Sequence, residues 1–173
     1  MIKILISISL LVNIAFSSNL EEDKKEIFKV LKNYATSIAC GTSFEDKREI
    51  YKPEDIIYLG KDIFETEYYY AVWFGDIGCD GGSGTSANYI SEIFRPDFSK
   101  KFYVNIEPVF SAKGLSDFKK VDNKLEVIEH YLLKNDANCC PSGKAKVILS
   151  KDKKYLKWDI TYKQIVDLDK KIE

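Results

Sequence analysis

The side chains best suited to chemistry gather in and beside one glycine-rich stretch, Gly75-Asp-Ile-Gly-Cys-Asp-Gly-Gly-Ser-Gly84. It offers two carboxylates, Asp76 and Asp80, a hydroxyl, Ser83, and a thiol, Cys79. Three known uses of glycine-rich turns can be set against it. A phosphate loop needs a closing Gly-Lys-Ser/Thr and a helix after it, and neither is present. A dinucleotide fingerprint also opens a helix, whereas the residues that follow here read as a strand. As a calcium loop, Asp76, Asp80 and Gly81 hold the first, fifth and sixth positions, but Gly78 holds the third and Ala87 stands where the bidentate glutamate belongs. What is left is a stiff polar turn on a scaffold, a common place for a binding surface.

Nucleophilic catalysis finds little support elsewhere. His130 is the one histidine, no Gly-x-Ser-x-Gly elbow occurs, and the cysteines are expected to be oxidised. Acid catalysis needs only two carboxylates at a suitable separation. Glu65, Glu67, Asp76, Asp80 and Glu92 are the acids near the hairpin that could supply them. No cofactor or metal ligand set is expected, because the cysteines lack zinc-type spacing.

The elements that carry this turn are two apolar runs. Glu65 to Phe74 enters it, with Tyr68, Tyr70, Val72 and Phe74 on one face and Tyr69, Ala71 and Trp73 on the other. Both faces are apolar, which marks a central strand covered on two sides, or a strand with one core face and one aromatic surface. Ala87 to Phe94 is the return strand. Eleven tyrosines, ten phenylalanines and two tryptophans fill the chain, and Tyr69, Trp73 and Tyr89 converge on this hairpin. With Asp76, Asp80 and Ser83 they form the predicted contact set of a binding surface.

Leu20 to Ala39 reads as a helix, with Ile27, Val30, Leu31, Tyr34 and Ile38 forming one apolar stripe and Gly41 as its stop. A helical turn over Glu45 to Tyr51 and a strand over Asp55 to Leu59 follow, the latter turned by Gly60-Lys61-Asp62. Phe102 to Ile106 alternates as a strand ended by Pro108, and Ser111 to Lys120 reads as a loop or helical turn. Leu125 to Leu133 fits either period and is assigned as a strand on its β-branched content. Lys144 to Leu149 and Tyr155 to Tyr162, turned at Lys151-Asp152-Lys153, form a last hairpin, and Ile165 to Glu173 reads as a tail. The fold class expected is α+β: a mainly antiparallel, twisted sheet of about six or seven strands with the N-terminal helix packed on one face, stabilised by disulfides.

The N-terminal residues MIKILISISLLVNIAFSS have the form of a secretory signal, with Lys3 before an apolar stretch from Ile4 to Phe16. Ala15-Phe16-Ser17 predicts cleavage after Ser17, so residues 1–17 are expected to be the signal and 18–173 a single domain. An uncleaved anchor is the competing reading. The formal net charge of −1 gives no global attraction for nucleic acid or an acidic membrane. No stable membrane insertion is expected after signal cleavage. Four cysteines in an exported chain predict two disulfides. A bond between the neighbours Cys139 and Cys140 would close a strained ring. Each is therefore expected to reach a distant partner, Cys40 or Cys79, in an order left open.

Two islands, Gly81-Gly-Ser-Gly-Thr85 before a strand and Asp136-Ala-Asn-Cys-Cys-Pro-Ser142, resemble a pattern in small exported bacterial proteins and lipoproteins of largely unassigned role. The resemblance implies export, disulfides and a sheet scaffold, and it carries no catalytic residues. The chain departs from those lipoproteins in having no lipid-attachment cysteine near the signal. The expected function is a non-enzymatic periplasmic or secreted binding protein with another protein as partner. An inhibitor or immunity role against an envelope-acting toxin or hydrolase would suit it. The alternatives are a small envelope hydrolase using acidic residues and a structural envelope component.

Overall fold

A computed structural model describes residues 2–45, 52–82, 84–151 and 158–165, with the side chains of the long N-terminal helix described from Leu20 on. The chain is α+β, as expected, but builds two antiparallel sheets rather than one. Helix α1 spans Ile2–Ile38 and runs directly into strand β1, Ala39–Cys40. A 3-10 turn at Pro53–Asp55 leads to β2 (Ile57–Lys61), β3 (Glu67–Ile77) and β4 (Ala87–Arg95). The short strands β5 (Tyr103–Val104) and β6 (Phe110–Ala112) follow, then β7 (Gly114–Val121), β8 (Lys124–Tyr131), β9 (Gly143–Lys151) and β10 (Trp158–Ile165).

In the first sheet β4 pairs with β3 along its whole length, from Glu67↔Arg95 to Gly75↔Ala87. The short strands β1 and β2 share the free edge of β3, and β5 and β6 share the free edge of β4. The second sheet has the order β10-β9-β8-β7. Alternation along β3 decides how the layers stack. Tyr69, Ala71 and Trp73 face α1 and pack against Ile27, Leu31 and Ala35. Tyr70 and Val72 face the second sheet and pack against Leu125, Val127, Val147 and Leu149. So β3 is the central strand covered on both sides, between a helix and a sheet.

Several expected boundaries move. Gly60 and Lys61 belong to β2, and the turn comes later, at Asp62–Thr66. The helix stops at Ile38, because the next two residues pair with Ile77 and Asp76 instead of continuing toward Gly41. Phe102–Ile106 yields only a two-residue strand, with Phe102 in the core and Ile106 fully outward. Ser111–Lys120 forms parts of two strands rather than a loop. A register shift between Ser116 and Lys119, with Asp117 at φ +51°, breaks the period-two pattern that would have marked it. The helical turn expected around Glu45 to Tyr51 falls almost wholly outside the described residues. So do Asp152 and Lys153, residues 155–157 of the last expected strand, and the tail beyond Ile165.

Two cross-links complete the frame. Arg95 donates to both oxygens of Asp23 on α1, at 2.8 and 2.7 Å, and to Glu67 on β3 at 2.6 Å. This fork ties the helix to the end of the β3–β4 pair. Between the sheets, Glu92 is buried and accepts from Tyr70, from Asn105 at 3.0 Å and from Lys151 at 2.7 Å.

Candidate functional site

The glycine-rich turn is shorter than the sequence indicates, because β3 runs on to Ile77. Gly75 lies inside the strand, where a Cβ would sit 3.0 Å from the Trp73 ring and 3.1 Å from the Ala39 Cβ. Asp76 is therefore a strand residue and buried, not a loop carboxylate. Its Oδ2 accepts from the Gly81 amide at 2.9 Å, which closes the turn from below. Its Oδ1 is buried and finds no partner among the described residues.

The turn itself, from Gly78 to Ser86, is exposed at its tip and braced at many points. Gly78, Gly81 and Gly82 adopt φ of +89°, +73° and +105°, so the backbone path needs residues without a Cβ. Cys79 is linked to Cys40, with their Cα atoms 5.2 Å apart. The Thr85 hydroxyl donates to the Gly82 carbonyl at 2.9 Å. Lys113 reaches in from the segment between β6 and β7 and donates to the carbonyls of Gly84 and Ser86. Asp80 is exposed. Ser83 lies outside the described residues.

The second island lies against the first. A Cβ at Gly84 would sit 3.8 Å from the Asn138 side-chain nitrogen, so the turn between β8 and β9 touches the glycine turn. That second turn is organised by Asp136, which accepts from the amides of Leu133 at 2.8 Å and Ser142 at 2.7 Å and from the Ser142 hydroxyl at 2.8 Å. Ala137, Asn138, Cys139 and Cys140 are all exposed. The two turns meet as expected, but not through a disulfide. Cys139 bonds to Cys140, their Cα atoms 3.8 Å apart, and Cys40 bonds to Cys79. The expected crosswise pairing is corrected for a topological reason. Strand β1 pairs directly with β3, so Cys40 stands opposite Asp76 and beside Cys79.

The aromatic members of the predicted set are also corrected. Trp73 is 0 % and Tyr69 1 % exposed. The Trp73 indole donates to the Ser91 hydroxyl at 2.9 Å and meets Tyr34 of α1 edge-on. The Tyr69 hydroxyl donates to Asp23 at 3.2 Å. Both are core side chains under the helix and take no part in an outer surface. Tyr89 is half-buried and lies against the Trp73 ring, centroids 4.7 Å apart. Burial pushes its phenol up, the Ile77 backbone works the other way, and the charge of Asp76 adds to the rise.

Of the nearby acids, Glu65 and Glu67 both meet the Lys61 ammonium, at 3.3 and 3.8 Å. Glu92 faces the second sheet and is held by Lys151 and Tyr70. Glu67 faces the helix and is held by Arg95. Burial and then the charges of Asp23 and Glu67, against the opposing charge of Arg95, push the Tyr69 phenol well above the usual tyrosine range, and burial and then the hydrogen bond to Asp62 do the same for Tyr68. Burial opposes the charge of Arg95, but hydrogen bonds to Asp23 and Glu67 hold the guanidinium above its ordinary value. His130 shares a hydrogen bond of 3.0 Å with the Ser116 hydroxyl across the β7–β8 pair. Among the described residues no cluster of His, Cys, Asp or Glu is set to hold a metal ion. A crevice between α1 and the 3-10 turn, lined by Phe28, Leu31, Phe44 and Ile56, has room for about one water-sized molecule.

Asp136 and Asn138 lie in an island the sequence marked but were not in its predicted contact set, and Lys113 was not marked at all. Asp136 and Ser142 were legible as a turn motif, since Asp bonds forward to backbone amides. Lys113 carried no local signal, because its role depends on where β6 ends. Comparison with protein-family models, with curated proteins and with solved structures returned no match. Among the described residues no helix is long and apolar enough to cross a membrane.

Proposed function

We propose that the chain is a non-enzymatic binding protein of the periplasm or extracellular space, and that its contact surface is the joined pair of turns Gly78–Ser86 and Asn135–Ser142. The observation that carries the proposal is an exposed surface braced from several directions. The turns hold the Cys40–Cys79 bond, the Asp76 and Asp136 amide contacts, the Lys113 bridge and the Cys139–Cys140 bond. Exposed turns ordinarily bend freely. Turns fixed in advance lose less conformational freedom on binding, which favours affinity. The secretory-type leader and the pairing of all four cysteines support an oxidising compartment. An inhibitor or immunity role against an envelope-acting toxin or hydrolase fits a partner bound by such a surface.

The test is capture from an envelope extract followed by affinity measurement on the purified partner. Asp80→Arg/Asn138→Arg alters exposed side chains on both turns without touching the core. The expected result is a loss of about tenfold or more in affinity, with unfolding unchanged. An undiminished affinity would remove the double turn as the contact surface.

A further inference from the structure

The opposite end of β3 carries a second exposed feature. Strand β3 spans about 33 Å at ordinary strand rise, so this end stands well away from the double turn. Here the β2–β3 turn displays Ile63 and Phe64, 89 % and 71 % exposed, and the β4–β5 turn displays Phe98, 92 % exposed. The pairings Lys61↔Glu67 and Glu67↔Arg95 place these turns side by side at one edge of the molecule.

Neither turn is loose. Asp62 Oδ1 accepts from the amides of Phe64 at 2.8 Å and Thr66 at 3.0 Å, while its Oδ2 accepts from the Tyr68 hydroxyl at 3.0 Å. In the other turn, the Ser99 amide donates to the Pro96 carbonyl at 2.9 Å and the Lys101 amide donates to the Ser99 hydroxyl at 3.0 Å. These bonds fix the turn backbones from which three large apolar side chains point outward. Exposed Asp97 precedes Phe98, and exposed Lys100 and Lys101 follow it.

The N-terminal helix leaves the domain from this same end. Asp23 of α1 is held at Arg95, while Ile38 accepts from Gly78 at the far end, so α1 runs parallel to β3. Its backbone is helical back to Ile2, about 27 Å before Leu20 at helical rise. That stretch contains the apolar sequence Ile4 to Phe16. We propose that the tip formed by Ile63, Phe64 and Phe98 docks on a lipid bilayer. The leader delivers the chain to a membrane, and the geometry turns this tip toward the surface the leader enters. Three partly inserted apolar side chains give shallow, reversible attachment, with the lysines at headgroup level. The double turn then points away from the lipid.

The chain is expressed whole in an exporting host, and its intact mass reads where the terminus lies. Flotation with phosphatidylcholine vesicles, with and without phosphatidylglycerol, compares wild type, the triple variant Ile63→Ser/Phe64→Ser/Phe98→Ser, and Ile160→Ser, an exposed change in the other sheet. If the leader has been removed, wild type and Ile160→Ser are expected to float, and the triple variant to partition roughly thirtyfold or more weakly. Equal flotation of all three, or none, overturns the proposal. If the leader is retained, Phe98→Trp decides instead: its emission is expected to shift to the blue and be quenched by shallowly brominated lipid. No quenching then assigns attachment to the leader alone and overturns the tip. Concentration-dependent dimers abolished by the triple variant, without flotation, overturn it in favour of a second copy of the chain.

Discussion

Replacing Cys40 and Cys79 by alanine tests the disulfide pairing and its energetic weight together. The bond spans a separation of 39 residues. On the chain-entropy account, closing such a loop removes about 13 cal/mol/K from the unfolded ensemble, or about 4 kcal/mol near room temperature. The Cys139–Cys140 bond joins neighbours and closes no chain loop, so its loss should cost under about 1 kcal/mol by the same reasoning. Urea unfolding of Cys40→Ala/Cys79→Ala and Cys139→Ala/Cys140→Ala, each against wild type, measures the two costs. The first variant should lose several times more stability than the second, at similar denaturant sensitivity of the folded baseline. Mass mapping of the unreduced wild type should find Cys40 and Cys79 in one linked peptide pair. Equal losses, or a Cys139–Cys140 peptide linked to either distant cysteine, would refute the pairing and the loop reasoning built on it.

Three further outcomes follow from the buried and half-buried charges. Glu92→Gln should cost about 2 kcal/mol or more in urea unfolding, since it weakens the contact to a Lys151 ammonium only 16 % exposed; a double-mutant cycle with Lys151→Met should show a coupling of about 1–3 kcal/mol, and additive losses would contradict a direct pair. Arg95→Met should destabilise by about 2–4 kcal/mol because it leaves Asp23 and Glu67 facing each other with only Lys61, 3.8 Å from Glu67, to offset their charge, and Arg95→Lys should recover only part of this, having lost the two-pronged contact to Asp23. On the alkaline side, Tyr68 and Tyr69 hold their protons more tightly folded than unfolded. Their contribution is therefore full below about pH 10 and is lost as pH rises from there through the folded values. Glu126 has the opposite sign: Lys146 and then Lys119 hold its carboxyl below the ordinary value, so its contribution is lost as pH falls through that lowered value. Midpoints measured from acid to alkaline pH should fall at both ends, and Tyr69→Phe should shallow the alkaline fall.

Much of the fold was legible along the chain because its signals were local. The stripe on α1 and the two-faced pattern of β3 are periodicities, and the last hairpin and the Asp136 turn are recognised by residue type and order. The strand β7 was not legible, since a bulge at Asp117 interrupts its alternation. The exposed turn carrying Ile63 and Phe64 was hidden by Gly60, which marks a turn by type but lies inside β2. For the candidate site, Asp80 and the meeting of two turns were readable, and the individual contact set was not. Tyr69 and Trp73 have the residue types of a binding surface and are equally the types of a core.

The sequence by itself determined that the chain is α+β, that both faces of β3 are apolar, and that a glycine turn closes the β3–β4 hairpin. These follow from spacing and from the conformations each residue type allows. Only the tertiary structure decided which layer covers which face. The helix took the side of Tyr69 and Trp73 and removed them from any surface. It also decided which cysteine meets which, because pairing depends on β1 lying along β3, with Ala39 opposite Ile77 and Cys40 opposite Asp76, a contact that no local pattern encodes. The same topology set the two ends apart, with the braced double turn at one and Ile63, Phe64 and Phe98 at the other.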